Sequence, residues 1–156
     1  LYRELMSLKK GDSLPYFTLK DQHGNPFNSA SLAGRPCVIY FYPKDYTPGC
    51  TAEACSFRDA YEDFVKIGAE VVGISGDSVK MHQKFAKTYR LPFILLSDEN
   101  RKVAKLFGVQ SNLFGLLPGR ETYVFDENGK VLMQFNSMNA TKHIEKALTA
   151  LKTSPK

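Results

Sequence analysis

Apolar runs and amphipathic stretches alternate along the chain, and their spacing predicts its secondary structure. Three continuously apolar runs, rich in β-branched and aromatic residues, are typical of strands that are covered on both faces. They lie at 36–43, 69–75 and 93–98. In other stretches the apolar positions recur at helical spacing. These stretches predict helices over 51–66, 78–90, 99–109 and 140–152.

Two further segments have the pattern of β-hairpins. Residues 17–28 alternate around a His-Gly-Asn-Pro turn, and residues 121–135 place Asp-Glu-Asn-Gly between two β-rich runs. The β–α–β–α–β stretch followed by β–β–α predicts an α/β fold: a thioredoxin-like three-layer α/β/α sandwich with an N-terminal hairpin extension. In open α/β sheets, ligands bind beyond the carboxyl ends of the strands. This indicates residues 43–50, which follow the first apolar strand, as the candidate functional site.

Length and composition are those of an ordinary globular protein. The 156 residues are 43% hydrophobic and 24% charged, which predicts a single domain over 1–156. No apolar run approaches the ~18 residues that span a bilayer, and the first residues lack the core of a secretory signal, so no membrane partner is expected. The net charge of +5 is dispersed instead of forming a basic stripe, so no nucleic-acid partner is expected either.

Three cysteines carry the candidate chemistry. A small fold held together by disulfides usually has a larger and even number of cysteines. We therefore expect a reducing, intracellular compartment and a chemically active thiol. Cys37 lies inside an apolar strand and is interpreted as a core residue. Cys50 and Cys55 lie in a polar stretch, DYTPGCTAEAC, at the start of a predicted helix.

The pair Cys50 and Cys55 allows several interpretations. Zinc needs four ligands at short spacing, but this pair reads CxxxxC and the three histidines lie on separate elements, which argues against a metal. A thioredoxin-type motif would need CxxC. A reactive cysteine with a resolving partner fits better, because the dipole and unpaired N–H groups at a helix N-terminus stabilise a thiolate. Cys55 is close enough in sequence to capture a sulfenic acid on Cys50.

The segment FYPKDYTPGCTAEACSFRD (41–59) resembles the active-site segment of peroxiredoxins, whose Pro-x-x-x-Thr-x-x-Cys motif here reads Pro43, Thr47 and Cys50. The continuation Cys-Thr-x-x-x-Cys-x-x-Arg-Asp is similar to the Q subfamily, also called bacterioferritin comigratory proteins. Further segments extend the likeness over nearly the whole chain. They are FTLKDQHG (17–24), VVGISGDS (71–78), LPFILLSDE (91–99) and LFGLLPGRETYVFDENG (113–129).

The resemblance implies a role for each of five residues. Cys50 resembles the peroxidatic cysteine and Cys55 the resolving one. The Thr47 hydroxyl would meet the peroxide and the thiolate, Pro43 would keep water away, and Arg120 would fold back to the cysteine. A guanidinium suits this role because it stays charged at physiological pH and can donate to a thiolate and a peroxide oxygen together.

The resemblance also implies an activity: a thiol-dependent peroxidase that reduces hydrogen peroxide and alkyl hydroperoxides. Its Cys50–Cys55 disulfide would be recycled by thioredoxin or a similar dithiol, with no metal, haem or flavin, in a mainly monomeric protein. The likeness of residues 112–124 to cyanobacterial and plastid members implies a plastid or a bacterial cytoplasm. Two departures, Tyr16 where Asp is frequent and the additional Cys37, lie outside the motif.

Two other functions stay open at the level of sequence. A thiol–disulfide oxidoreductase or redox sensor would pass its disulfide to a client protein, and peroxide would oxidise it no faster than free cysteine. A non-catalytic interaction protein with the same fold would tolerate replacement of all three cysteines.

The spacing of the two cysteines makes a structural prediction of its own. Five residues on a regular helix give a rise of ~7.5 Å and a rotation of ~500°, so the two Cα atoms lie roughly 8.7 Å apart. A disulfide needs Cα atoms within about 4.4–6.8 Å. We therefore expect residues 51–56 to unwind when the disulfide forms, with Pro48 and Gly49 upstream absorbing the change in the backbone.

Overall fold

The structure, a computed structural model, describes residues 7–109, 111–112, 117–118, 120–136 and 140–153. The strands are β1 (Thr18–Asp21), β2 (Pro26–Asn28), β3 (Cys37–Phe41), β4 (Glu70–Ser75), β5 (Ile94–Ser97), β6 (Ser111–Asn112), β7 (Leu117–Pro118), β8 (Glu121–Phe125) and β9 (Val131–Asn136). The α-helices are α1 (Pro48–Asp59), α2 (Tyr61–Lys66), α3 (Val79–Tyr89), α4 (Lys102–Phe107) and α5 (Ala140–Thr153).

Seven strands form one mixed sheet in the order β2-β1-β5-β4-β3-β8-β9. β5, β4 and β3 run parallel at its centre, and the outer pairs are antiparallel. β1 and β2 form the predicted N-terminal hairpin, and β1 joins the sheet beside β5. Because the three parallel strands end at one edge, that edge collects the residues that follow them.

Both faces of the sheet are covered, and side chains of β3 alternate between them. Val38 and Tyr40 face a core that contains residues of α1, α2, α3 and α5. Ile39 and Phe41 face a second core that contains residues of α4 and of the N-terminal region. All five residues of β3 are buried, as predicted for a strand covered on both faces. The predicted three-layer α/β/α sandwich is confirmed, with four helices on one face and α4 on the other.

The helix predicted over 51–66 is wrong in its bounds. It begins at Pro48, which suits the first helical position because the backbone donor there has no partner within the helix. It is also interrupted at Ala60, so that α1 and α2 replace one long helix. Pro48 and Gly49 therefore belong to the helix and do not form a hinge before it.

The ends of α3 and α4 follow the sequence signals more closely. The Ser78 hydroxyl accepts a hydrogen bond from the Met81 N–H and caps α3, and Gly108 closes α4 in a left-handed conformation. The cap at the other end of α3 is Arg90, also left-handed, two residues before Pro92. No helix in the described ranges is both long enough and apolar enough to cross a membrane.

Candidate active site

The loop between β3 and α1 brings Cys50 into the first turn of a helix. Thr47 precedes the helix with an extended backbone, and Pro48 is the first helical residue. Cys50 is therefore the third residue of α1, where the helix dipole and the unpaired N–H groups favour negative charge. The residue is 1% exposed. The sequence predicted a cysteine at a helix N-terminus, and the structure places it there.

Arg120 reaches the Cys50 sulfur from the neighbouring strand. It precedes β8, which pairs antiparallel with β3 so that Phe41 lies opposite Glu121. This register brings the start of β8 beside the end of β3. Arg120 Nη2 donates to Cys50 Sγ at 3.3 Å, although 70 positions separate the two residues in the chain. Both residues are buried, so the sulfur and the cation meet away from bulk water.

Glu53 is a second partner of Arg120 and was not among the predicted site residues. Glu53 lies one turn after Cys50 on the same side of α1, and its Oε1 accepts a hydrogen bond from Arg120 Nη1 at 2.5 Å. Burial raises the pKa of Glu53 to about 8, because the loss of water outweighs the effect of the Arg120 charge and hydrogen bond. The carboxyl group therefore keeps its proton well above the usual range.

Two further polar side chains, His143 and Thr122, lie on the other side of Glu53 from Arg120. Its Oε2 lies 3.7 Å from His143 Nδ1, and the same nitrogen lies 2.5 Å from Thr122 Oγ1. Thr122 is on β8, two positions after Arg120, and residues at this spacing share one face of a strand. His143 is on α5. Strand β8 and helix α5 therefore each place a side chain near the carboxyl group that faces Arg120, although Glu53 Oε2 has no hydrogen-bond partner among the described residues.

Gly49 leaves the space that the guanidinium occupies. A Cβ atom on Gly49 would lie 3.0 Å from Arg120 Nη2 and 3.9 Å from its Cζ. Any larger residue would therefore push against the group that donates to Cys50. Glycine normally costs stability relative to alanine inside a helix, so the approach of Arg120 gives a physical reason for glycine here.

Thr47 and Pro43 belong to the loop that leads into α1, and both are half-buried. The Thr47 hydroxyl donates to the Lys44 carbonyl at 2.7 Å. The Thr47 carbonyl accepts from the Thr51 N–H at 2.8 Å and so begins the hydrogen-bond ladder of α1. Because its proton is given to Lys44, the Thr47 hydroxyl keeps lone pairs that can accept a hydrogen bond from a ligand.

Cys55 lies on the same unbroken helix as Cys50. It is half-buried, and both thiols are free. A regular helix holds the two Cα atoms roughly 8.7 Å apart, beyond the reach of a disulfide. One turn after Cys55, Arg58 Nη1 donates to the Tyr89 carbonyl at 2.8 Å. This bond ties the last turn of α1 to the end of α3.

The family model described as AhpC/TSA matches residues 10–134, a span that contains all five predicted site residues. The chain belongs to this family. Peroxiredoxin Q, chloroplastic, from Sedum lineare is 58% identical over 145 residues, which cover 92% of this chain and 78% of the relative. The protein of the same name from Populus jackii is 54% identical over 147 residues, which cover 94% and 69%.

Solved structures of peroxiredoxins share the fold of this family member. Peroxidoxin BcpB from Mycobacterium tuberculosis has a TM-score of 0.88 and 41% identity, and the match covers 96% of this chain and 99% of that one. Peroxiredoxin Q from Xanthomonas campestris has a TM-score of 0.81 and 34% identity, with coverage of 87% and 89%. The predicted relationship to peroxiredoxins of the Q type is confirmed, and the chain is a thiol-dependent peroxidase.

In this peroxiredoxin Cys37 is a core residue, as predicted. It is 1% exposed and belongs to the core on the α4 side of the sheet, whereas Cys50 belongs to the core on the α1 side. Burial raises the pKa of Cys37 to about 12, because a thiolate there would lose its water. The sheet therefore separates Cys37 from Cys50, and the environment of Cys37 suppresses the reactive form.

One group of side chains near the site has the composition of a metal site. Asp45, Asp77 and His82 bring one potential ligand atom each to within 4.8 Å of one another. Each of these atoms already has a partner in the protein: Asp45 Oδ2 and His82 Nδ1 bond each other, and Asp77 Oδ2 accepts from the Asp45 backbone N–H. The sequence left His82 without a cluster, and the structure corrects this.

The neighbours of Cys50 that sequence reasoning missed share one property. Gly49, Glu53 and His143 acquire their roles from contacts with elements far away in the chain. The position of Glu53, one turn after a reactive cysteine at a helix start, was the available signal. It did not by itself distinguish a buried partner of Arg120 from a solvated surface carboxylate.

Proposed function

We propose that peroxide oxidises Cys50 and that Cys55 resolves the product. The contact between Arg120 Nη2 and Cys50 Sγ carries this proposal, because it joins a buried sulfur in the first turn of a helix to a permanent cation. Cys37 does not lie at a helix N-terminus, and no cation among the described residues donates a hydrogen bond to its sulfur. Cys55 is more exposed than Cys50 and lies further along the same helix.

In the first step the Cys50 thiolate attacks one oxygen of the peroxide. The S–O bond forms while the O–O bond breaks, and the departing hydroxide or alkoxide takes up a proton to become water or an alcohol. Arg120 stabilises the thiolate and the charge that grows on the departing oxygen. Its Nε is buried and has no hydrogen-bond partner among the described residues, which leaves a donor for a peroxide oxygen.

Thr47 and Pro43 complete the peroxide site in this proposal. The Thr47 hydroxyl accepts a hydrogen bond from the peroxide O–H, since its own proton goes to Lys44. Pro43 has no backbone N–H and contributes an apolar ring to the loop, which helps to exclude water. Excluding water strengthens the electrostatic effect of Arg120 on the reacting oxygens.

In the second step the Cys55 sulfur attacks the sulfenic acid of Cys50, and a disulfide forms with release of water. The first turns of α1 open to let the two sulfurs meet. A dithiol of the thioredoxin type then reduces the disulfide by thiol–disulfide exchange and leaves as a disulfide itself. The cycle needs no metal, haem or flavin.

The relatives supply further parts of the proposal. We place the protein in a plastid, because the relatives from Sedum lineare and Populus jackii are described as chloroplastic. The solved neighbours from Mycobacterium tuberculosis and Xanthomonas campestris support a bacterial cytoplasm as the alternative compartment. Hydrogen peroxide and alkyl hydroperoxides are the proposed substrates, and a thioredoxin is the proposed reductant.

Peroxide consumption with a thioredoxin system tests the assigned roles. Cys50→Ser should abolish turnover, whereas Cys55→Ser should still reduce one equivalent of peroxide and then fail to cycle with thioredoxin. Cys37→Ala is the matched control and should keep its activity. Undiminished turnover of Cys50→Ser would overturn the assignment, and oxidation of Cys50 no faster than that of free cysteine would favour a redox relay.

A further inference from the structure

We propose that His82 is a positioning residue for the Cys50 site, acting through Asp45 on the loop of residues 43–47. The inference rests on the proposed role of Cys50, because it concerns the loop that leads into the helix of that cysteine. His82 lies on α3, outside the motif around Cys50. The residue touches no reacting atom in this account and acts through the geometry of the loop.

The His82 ring is fixed at both nitrogens. Nδ1 lies 2.6 Å from Asp45 Oδ2, and Nε2 lies 2.9 Å from the Leu96 carbonyl oxygen. A carbonyl only accepts hydrogen bonds, so Nε2 carries a hydrogen and donates to Leu96. The side chain is fully buried. His82 therefore connects the loop to β5 through a ring that has no freedom to rotate without losing a bond.

Asp45 is held on its other sides as well. Its Oδ1 accepts from the Tyr42 hydroxyl at 2.6 Å, and its backbone N–H donates to Asp77 Oδ2 at 2.8 Å. Asp77 Oδ2 also accepts from the Ser75 hydroxyl at 2.6 Å. Tyr42 follows β3, Ser75 ends β4 and Leu96 is on β5, so Asp45 is fixed against the carboxyl ends of all three parallel strands.

The loop needs this support because its backbone is strained next to Asp45. Tyr46 has a φ of 66°, a left-handed conformation that costs free energy for a residue with a side chain. Such conformations persist when the surroundings over-determine them. Asp45 is fixed on one side of Tyr46, and on the other side the Thr47 carbonyl accepts the first helical hydrogen bond of α1.

The position of this support explains its effect on Cys50. Asp45 stands two residues from Pro43 and two from Thr47, the loop residues of the proposed peroxide site. It also stands three residues before the start of α1. Loss of the bond between His82 and Asp45 would free the loop to relax at Tyr46, which would displace Thr47 and the first turn that carries Cys50.

Two substitutions of His82 distinguish its hydrogen bond to Asp45 from its hydrogen bond to Leu96. In His82→Asn the amide nitrogen takes approximately the place of Nδ1 and keeps the bond to Asp45, whereas in His82→Gln it takes the place of Nε2 and keeps the bond to Leu96. Both variants lose one buried hydrogen bond and part of the ring. Only His82→Gln releases the loop. The readout is the rate constant for oxidation of Cys50 by hydrogen peroxide in a single turnover, together with the melting temperature.

We expect oxidation to slow roughly tenfold or more in His82→Gln and to stay within about threefold of the parent in His82→Asn, at similar melting temperatures, because misplaced reacting groups cost rate steeply. Gln22→Leu controls for lost stability. It removes buried bonds to the Phe93 carbonyl and the Leu95 N–H in the same region of β5 and does not touch the loop. Its rate should match that of the parent.

Tyr42→Phe is the milder second variant. It removes the Tyr42 hydroxyl that donates to Asp45 and leaves the His82 ring in place. It therefore tests the role of the loop even if the His82 variants do not fold, and we expect slower oxidation of Cys50. Oxidation of Cys50 at the parental rate in His82→Gln or Tyr42→Phe would overturn the proposal. So would an equal fall in the oxidation rate in both His82 variants that matches the fall in their melting temperatures. Failure of the Cys50 assignment would look different, because peroxide would then oxidise another residue in the parent protein itself.

Discussion

At the scale of single residues, we propose that the reactivity of Cys50 depends on how Arg120 shares its hydrogen-bond donors between two partners. Nη2 donates to the Cys50 sulfur and Nη1 to the Glu53 carboxyl group. Both contacts are buried, where a charge acts more strongly than in water. A protonated Glu53 leaves the positive charge of Arg120 to the sulfur, whereas an ionised Glu53 would compete for it. Two substitutions next to Arg120 test this arrangement.

Gly49→Ala should slow the oxidation of Cys50 without destabilising the protein. The new Cβ would lie 3.0 Å from Arg120 Nη2 and would displace the guanidinium. We expect a loss of roughly tenfold in the rate constant for peroxide, since small misplacements near reacting atoms have large effects. Alanine is a better helix former than glycine, so the free energy of unfolding should hold or rise.

Gly76→Ala is a matched control for this substitution. Its Cβ would meet no atom closer than 3.6 Å, and Gly76 is not among the glycines with a positive φ. Its oxidation rate should equal that of the parent. If Gly49→Ala also reacts at the parental rate, the close approach of Arg120 to Gly49 is irrelevant to catalysis.

Glu53→Gln should change how stability depends on pH. The pKa of Glu53 is about 8 in the folded protein and near 4.5 without burial, so the folded state binds the extra proton between these values. The stability that this proton contributes is complete below pH 4.5 and is lost as the pH rises through 8, at a rate of up to about 1.4 kcal/mol per pH unit. Glu53→Gln removes this dependence.

Urea unfolding at pH 5, 7 and 9 measures the effect. The free energy of unfolding of the parent protein should fall relative to that of Glu53→Gln across this series. Parallel pH profiles of the two proteins would show that Glu53 titrates normally in the folded state.

At the scale of elements, helix α1 has two parts with different support. Phe57 is fully buried and stacks on Tyr40 with ring centroids 4.6 Å apart, and Arg58 is bonded to the Tyr89 carbonyl. These contacts hold the last turn. The first turns carry both cysteines and must open for the disulfide, because the regular helix keeps their Cα atoms too far apart.

Amide hydrogen exchange should therefore report the redox state. Residues 51–56 should be protected in the dithiol form and should exchange fast in the disulfide form, whereas residues 57–59 should be protected in both. A double variant of Cys50 and Cys55 to serine, treated with peroxide, is the control and should stay protected. Equal protection of 51–56 in both forms, with the Cys50–Cys55 bridge confirmed by mass spectrometry, would contradict the predicted opening.

The elements themselves were largely predictable from the sequence. The apolar runs predicted β3, β4 and β5, and the turn residues predicted both hairpins, because these signals are local. The bounds of α1 were not predictable from periodicity: the apolar spacing continues from Ala54 through Phe57 to Phe64 and does not register the break at Ala60. The start at Pro48 was visible only as a proline before a predicted helix.

At the scale of the whole molecule, the site exists because the strand order brings distant segments together. β3 leads to Cys50, and Arg120 lies beside it directly before the neighbouring strand β8. The carboxyl ends of β4 and β5 hold Asp45 through Asp77 and His82. The spacing of residues in the sequence does not determine the order of the strands in the sheet. For this reason the role of Arg120 came from a family resemblance, and those of Glu53 and His82 came from the structure.

The whole chain should behave as one monomeric folding unit. Resolution of Cys50 by Cys55 in the same helix makes a second subunit unnecessary for the cycle, and the central sheet joins the N-terminal hairpin to the C-terminal strands. Light scattering at micromolar concentration should give a mass near 17.5 kDa, and urea should unfold the protein in one transition. A mass near twice that value, or two separate transitions, would contradict this prediction.

Peptide mapping after a single equivalent of hydrogen peroxide tests the central claim most directly. Cleavage after Lys44 and Arg58 releases both Cys50 and Cys55 in one peptide, residues 45–58, and leaves Cys37 in another. After alkylation of free thiols under denaturing conditions, the account predicts an unalkylated 45–58 peptide that has lost two hydrogens, and a fully alkylated Cys37. If the peroxide is consumed and both cysteines of the 45–58 peptide are nevertheless alkylated afterwards, the account is contradicted. A disulfide that contains Cys37 would also contradict it.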